Sequence, residues 1–204
     1  MIELLKISHS YNNNNKIINN LSLNISEKGI TIISGANGSG KTTLLKIISG
    51  ILVPNTGTVK ISNKFLFGKR IGFVFQKPIL LKRSVYENLS FILKKDNVAP
   101  DNIRKIIDKY LVKFFKNNKN FDNFLKRNIF ELSGGEQQII SLIRTIATKP
   151  KLLFLDEPFA NLDNNRCSSL SSLLSDISSN GCKIIMVTHK YDIAKNLSKD
   201  IISL

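Results

Sequence analysis

The chain has 204 residues, 42% of them hydrophobic, with 30 Lys and Arg against 15 Asp and Glu and a formal net charge of +15. That is enough sequence for one sizeable core, and the composition excludes a disordered or collagen-like chain. No stretch approaches the ~20 apolar residues that span a bilayer, and residues 1–30 lack the apolar run of a secretory signal, so a soluble, cytoplasmic protein without direct membrane insertion is expected.

The elements follow from periodicity. Ile2, Leu4, Leu5 and Ile7 lead as a strand to Tyr11, residues 12–15 read as a polar turn, and Ile17, Ile18, Leu21, Leu23 and Ile25 give a second strand. After Glu27-Lys28-Gly29, Ile30–Ser34 is short and almost wholly apolar, which suits a buried parallel strand. It runs into Gly35-Ala36-Asn37-Gly38-Ser39-Gly40-Lys41-Thr42, and helical spacing over Thr42–Ser49 stops at Gly50. Pro54–Gly57 reads as a turn, and Thr58–Ile61 and Ile71–Phe75 read as strands. From Pro78 to about Phe130 the texture becomes helical, over Ser84–Leu93 and Asp101–Phe115, with a polar break at 117–123. A helix over Ser133–Thr148, a strand over Leu152–Leu155, a Ser-rich helix over Asn164–Ser179, a buried strand over Lys183–Val187 and a short helix from Tyr191 complete the pattern. Strands alternating with helices predict an α/β protein with a parallel core sheet, an N-terminal antiparallel β subdomain and an inserted helical subdomain at about 78–148, all within a single domain, 1–204.

Cys167 and Cys182 have no metal-ligand spacing and are expected to remain reduced. The positive charge admits three readings: a nucleic-acid surface, a face near anionic lipid or a partner, or compositional drift toward Lys, Asn and Ile. Scattered lysines, with no basic stripe on any one helix, favour drift, and no nucleic-acid partner is expected.

The glycine loop follows a strand and opens a helix, the context a phosphate cradle requires. Gly35, Ala36, Asn37, Gly38, Ser39 and Gly40 would present backbone N–H groups to phosphate at a helix N-terminus. Lys41 would bridge the terminal phosphates and Thr42 would offer its hydroxyl to Mg²⁺, with Thr43 beside them. Asp156 ends an apolar strand at the carboxyl edge of the sheet, where ligands bind, and is expected to hold Mg²⁺. Glu157 follows it, placed to polarise an attacking water. Ser133 and Glu136 form a capping box. Gly134 and Gly135, which cost about 1 kcal/mol each inside a helix, would add a second anion site serving the nucleotide of another subunit. Three single residues each keep two readings. Gln76 is either a contact to Mg²⁺ and the lytic water or an ordinary polar residue. His189 is either a γ-phosphate contact or structural, and Tyr11 either stacks on adenine or ends its strand as a buried ring.

Together these residues resemble the ATP-binding cassette (ABC) ATPases, a P-loop NTPase family that powers ABC transporters. Gly35–Thr42 matches the Walker A motif, Gln76 the Q-loop, Leu132-Ser133-Gly134-Gly135-Glu136-Gln137-Gln138 the signature, Leu152–Asp156 Walker B, Glu157 the catalytic base, Asn161-Leu162-Asp163 the D-loop and His189 the switch histidine; Tyr11 falls at the adenine-stacking position. The resemblance implies ATP hydrolysis with Mg²⁺ and a head-to-tail dimer with a second cassette, identical or not. It also implies transmembrane permease partners and peripheral attachment at the inner face of the cell membrane. Residues 72–85 look most like importer cassettes, especially those serving oxyanions such as tungstate, molybdate or phosphate. A haem-exporter-type cassette of cytochrome c maturation, a soluble ABC ATPase acting on nucleic acid, and a cassette in cofactor assembly are the alternatives. Three departures stand out: Ile139 occupies a position where the family usually has Arg, with Arg144 about one turn on; the chain ends just after Ile201-Ile202, reading as a minimal cassette; and the polar segment Lys116–Lys126 is atypical.

Overall fold

The computed structural model describes residues 1–12, 16–62, 65, 70–116 and 120–204. Five strands form one parallel sheet in the order β5–β6–β7–β3–β8: β3 (Ile30–Ser34), β5 (Ile71–Val74), β6 (Leu152–Asp156), β7 (Lys183–Val187) and β8 (Asp200–Ser203). Three others, β1 (Ile2–His9), β2 (Ile18–Ile25) and β4 (Thr56–Ile61), pair antiparallel in the order β2–β1–β4. The central strands β6 and β7 are buried at every position, as strands covered on both faces must be.

Alternate side chains divide the interior into two cores. Leu152 and Phe154 of β6, Ile185 and Val187 of β7 and Ile33 of β3 face one side. There they pack against Leu44, Leu45, Ile47 and Ile48 of α1 (Lys41–Ile48) and against Ile2, Leu4 and Ile7 of the antiparallel sheet. Leu153, Leu155, Ile184, Met186 and Ile32 face the other side. This second core holds the apolar stripes of α2 (Val85–Lys95), α3 (Pro100–Phe114), α4 (Asp122–Lys126), α5 (Gly134–Ile146) and α6 (Asn164–Ser179). The chain closes with α7 (Tyr191–Leu197) and β8.

Expected and observed elements agree to within one or two residues at most ends. Helix α5 begins at Gly134 with Ser133 as its N-cap, and α2 begins at Val85 with Ser84 as its cap. Strand β4 starts at Thr56, inside the expected turn, because Thr56 pairs with Ser8 across the sheet. Asp122–Lys126, read as the edge of a polar break, is helical because Phe124 and Leu125 bury against the core. The break at 117–119 and the turn at 13–15 lie outside the described residues. Strand β8 has only four residues and adds to the edge of β3, with Ile32 opposite Ile201 and Ile33 opposite Ile202. Among the described residues no helix is long and apolar enough to cross a membrane.

Candidate nucleotide site

Parallel register sets the site. Asp156 lies opposite Val187, so the carboxyl ends of β6 and β7 are level, and β3 beside β7 delivers the glycine loop to the same edge. Three glycines of the loop have positive φ: Gly35 (150°), Gly38 (82°) and Gly40 (92°), conformations that L-residues with side chains rarely adopt. A β-carbon at Gly40 would also lie 2.7 Å from the Ile17 side chain, so the turn closes against the start of β2. Lys41 is 6% exposed; its ammonium donates to the carbonyl oxygens of Gly35 at 3.0 Å and Ala36 at 2.7 Å, curling the loop around its own charge. Among the described residues the buried Ser39 hydroxyl has no hydrogen-bond partner, a polar atom available to a ligand.

The two carboxylates differ in what satisfies them. Asp156 accepts a 2.9 Å hydrogen bond from the Thr42 hydroxyl. Burial pushes its carboxyl above the ordinary aspartate range, partly opposed by that bond and by the charges of Lys46, His189 and Lys41. Glu157 has φ of 51° and donates its own N–H to the Val187 carbonyl at 2.9 Å. One carboxylate oxygen, Oε2, accepts from the His189 backbone N–H at 3.1 Å. The other, Oε1, stands 3.1 Å from His189 Nε2 and, among the described residues, is buried with no hydrogen bond. Burial raises the Glu157 carboxyl too, with Asp156 adding to the rise and the His189 and Lys41 contacts opposing it.

Ile17, Asn37, Gly38, Gly40, Lys41, Thr42, Thr43, Gln76, Glu157, Val187 and His189 enclose a cleft of about 280 Å³. Gln76 and His189 thus meet the loop and Glu157 from separate strand ends. Tyr11 stands beside this cleft rather than in its wall: its hydroxyl lies 3.3 Å from that of Thr43, its ring meets His9 edge-on at 5.0 Å, and it is 56% exposed instead of buried. Ser133, Gly134, Gly135, Glu136 and Asp163 are not among the cleft residues. The Ser133 hydroxyl accepts from the Glu136 N–H at 3.3 Å while the Glu136 carboxylate accepts from the Ser133 N–H at 2.9 Å, a closed capping box on an exposed helix start. Asp163 caps α6 by accepting from the Arg166 N–H at 2.8 Å.

Two contributors were not foreseen. Ile17 and the Val187 carbonyl shape the cleft, and neither carries a motif signal, since one acts by bulk and the other by backbone. At Ile139 the exception to the usual arginine is absorbed by packing: the side chain is 1% exposed in the second core. Arg144 instead donates to the Ile79 carbonyl.

A family model described as ABC transporter matches residues 18–160, from β2 through the glycine loop and signature to Glu157. The chain belongs to the ABC transporter family. Among curated relatives of this ABC ATPase, the tungstate uptake system ATP-binding protein TupC of Peptoclostridium acidaminophilum is 36% identical over 186 residues, covering 90% of this chain and 85% of that one. The sulfate/thiosulfate import ATP-binding protein CysA of Mesostigma viride is 35% identical over 196 residues, 93% of this chain but only 55% of its own length. Among solved structures, the dimeric post-hydrolysis state of the cassette MJ0796 bound to ADP and Pi superposes with a TM-score of 0.84 at 27% identity, covering 100% of this chain and 94% of that one.

Proposed function

We propose that this cassette binds ATP along Gly35–Thr43, beside Tyr11, and hydrolyses it with Glu157 as the base, in a head-to-tail dimer with a second cassette. The observation that carries this reading is the buried Oε1 of Glu157, which has no hydrogen bond among the described residues and stands beside His189 in the cleft that Lys41, Thr42 and Gln76 also line. An unsatisfied buried carboxylate oxygen costs stability, and a water held for in-line attack would satisfy it. Thr42, Asp156 and Gln76 would hold Mg²⁺, which neutralises phosphate charge when bound. The buried hydroxyl of Ser39 and the Thr42–Asp156 pair fit that role. Lys41 releases its loop carbonyls to reach the β- and γ-phosphates, and His189 orients the γ-phosphate from the other side.

Ser133 to Glu136 and Asp163 stand outside the cleft of their own chain, which supports their serving the nucleotide of a second cassette, identical or not. Closure on ATP and reopening after hydrolysis would drive permease subunits, with the cassette attached peripherally at the inner face of the membrane. The uptake relatives support an importer, and the tungstate and sulfate relatives support an oxyanion as its cargo.

Glu157→Gln tests the base. Steady ATPase should fall at least ~100-fold while ATP still binds and holds the dimer together; turnover at the normal rate would remove Glu157 from that role. Cargo is tested on the transporter assembled with whichever permease co-purifies with this chain. ATPase stimulated by tungstate or sulfate supports the oxyanion reading, and stimulation by an amino acid or polyamine instead would replace it.

A further inference from the structure

Lys190 follows His189 and stands at the N-cap of α7, where its carbonyl accepts from Ala194 at 3.0 Å. Its side chain turns toward the 161–163 turn and the first turn of α6. The ammonium donates to the Leu162 carbonyl at 3.4 Å and lies 3.3 Å from Cys167 Sγ. Among the described residues it pairs with no carboxylate. Leu162 is 7% exposed, and its neighbour Asn161 is held at φ of 58° with its carbonyl pressed onto Gly135. His189 meanwhile grips Glu157 through its backbone N–H. A continuous chain of contacts therefore runs from the base, through His189 and Lys190, to Leu162 and Asn161, and on to the signature helix.

We infer that Lys190 is a positioning residue that ties the γ-phosphate edge of this cassette to the surface it offers its partner. The inference rests on the ATP site proposed above. Glu157 and His189 serve the cassette's own nucleotide, whereas Asp163 and the exposed Ser133 and Gly134, held through the buried Gly135, are offered to the nucleotide of the second subunit. A single ammonium shared between the 189–190 turn and the 161–163 turn makes the placement of one depend on the other. Two contacts to neutral acceptors, 3.3–3.4 Å long, suit a tether that yields during closure better than a rigid staple would.

The experiment places Lys190→Met and Lys190→Arg in the Glu157→Gln chain. It reads TNP-ATP affinity of the monomer and the ATP concentration at half-maximal dimer by light scattering. With Lys190→Met, monomer affinity should hold within about twofold while dimerisation requires about fivefold more ATP or above; Lys190→Arg, which keeps the donor, should recover most of the loss. A merely structural role would lower melting temperature and weaken both readouts together. Dimerisation of Lys190→Met at the parent's ATP concentration, or parallel loss in both readouts, would overturn the tether. If Glu157→Gln alone does not dimerise with ATP, the site reading fails and the tether falls with it.

Discussion

A β-carbon on Gly135 would sit 2.5 Å from the carbonyl oxygen of Asn161, whereas one on Gly134 would meet nothing within 4 Å among the described residues. The two glycines of the signature thus have different reasons to be there. Gly135 is the contact by which the head of α5 packs on the 161–163 turn. Gly134 is exposed, and its smallness shows only toward whatever approaches from outside.

The pair separates under substitution. Gly135→Ala should destabilise by about 1–3 kcal/mol, because backbone on both sides has to shift. Gly134→Ala should leave stability unchanged or raise it by up to about 1 kcal/mol through helix propensity, yet depress ATPase. Denaturant melts and turnover of the two variants side by side check this; equal loss of stability would refute the distinction.

The capping box gives a second separation. Ser133→Ala removes the acceptor for the Glu136 N–H and should cost about 1 kcal/mol. Hydrolysis should fall further than that loss of stability explains, while the isolated monomer binds ATP as before. Loss of ATP affinity in the monomer would place Ser133 in its own subunit's site.

How far this was legible in the sequence depends on what carries each feature. Helix α6 and strand β7 have the bounds expected of them; in the structure Asp163 caps α6 and Asn180 ends it, and β7 is an unbroken apolar run after Lys183. The residues around the cleft were readable because the glycine loop and the strand-end carboxylates have fixed chemistry at fixed spacing. Strand β8 was not, since four residues give too short a period and their pairing with β3 joins segments about 170 positions apart. Nor does spacing reveal that Gly135 touches Asn161 or that Lys190 reaches Leu162, for these are meetings of loops fixed by the fold.

Glu157 leads to a pH prediction. Its carboxyl is raised by burial, and the base acts as the carboxylate, so ATPase should be lost on acidification at a pH above the ordinary glutamate value. Stability runs the other way. The folded chain holds this proton more tightly than the unfolded chain, so the buried charge costs stability at neutral pH and the cost disappears as pH falls through the raised value. Glu157→Gln should therefore melt higher than the parent at pH 7, with the difference shrinking toward pH 4. A difference that grew on acidification would contradict the assignment.

Lys183 is the buried cation at the opposite edge of the sheet. It is fully buried at the start of β7, donating to Thr31 Oγ1 at 2.6 Å, Ser26 Oγ at 3.1 Å and the Lys28 carbonyl at 3.1 Å. Burial pushes its ammonium down to about 8, against the attraction of Asp200. Between pH 8 and the ordinary lysine value the unfolded chain binds the extra proton, so stability should rise with pH across that window, by up to about 3 kcal/mol. The melting temperature of the parent relative to Lys183→Met should climb from pH 7 to pH 10; a flat difference would show that Lys183 keeps its proton in the fold.

The contact between Gly40 and Ile17 has a mechanical corollary. The phosphate loop belongs to the parallel sheet, but the surface on which its last glycine rests comes from the antiparallel one, through a segment whose next residue, Ile18, is buried in the core beneath. A loop braced from behind in this way cannot widen by itself. Any shift in the pairing of β2 with β1 would change the curvature presented to phosphate, so the small sheet sets the tension of a cradle that it braces through the apolar side chain of Ile17.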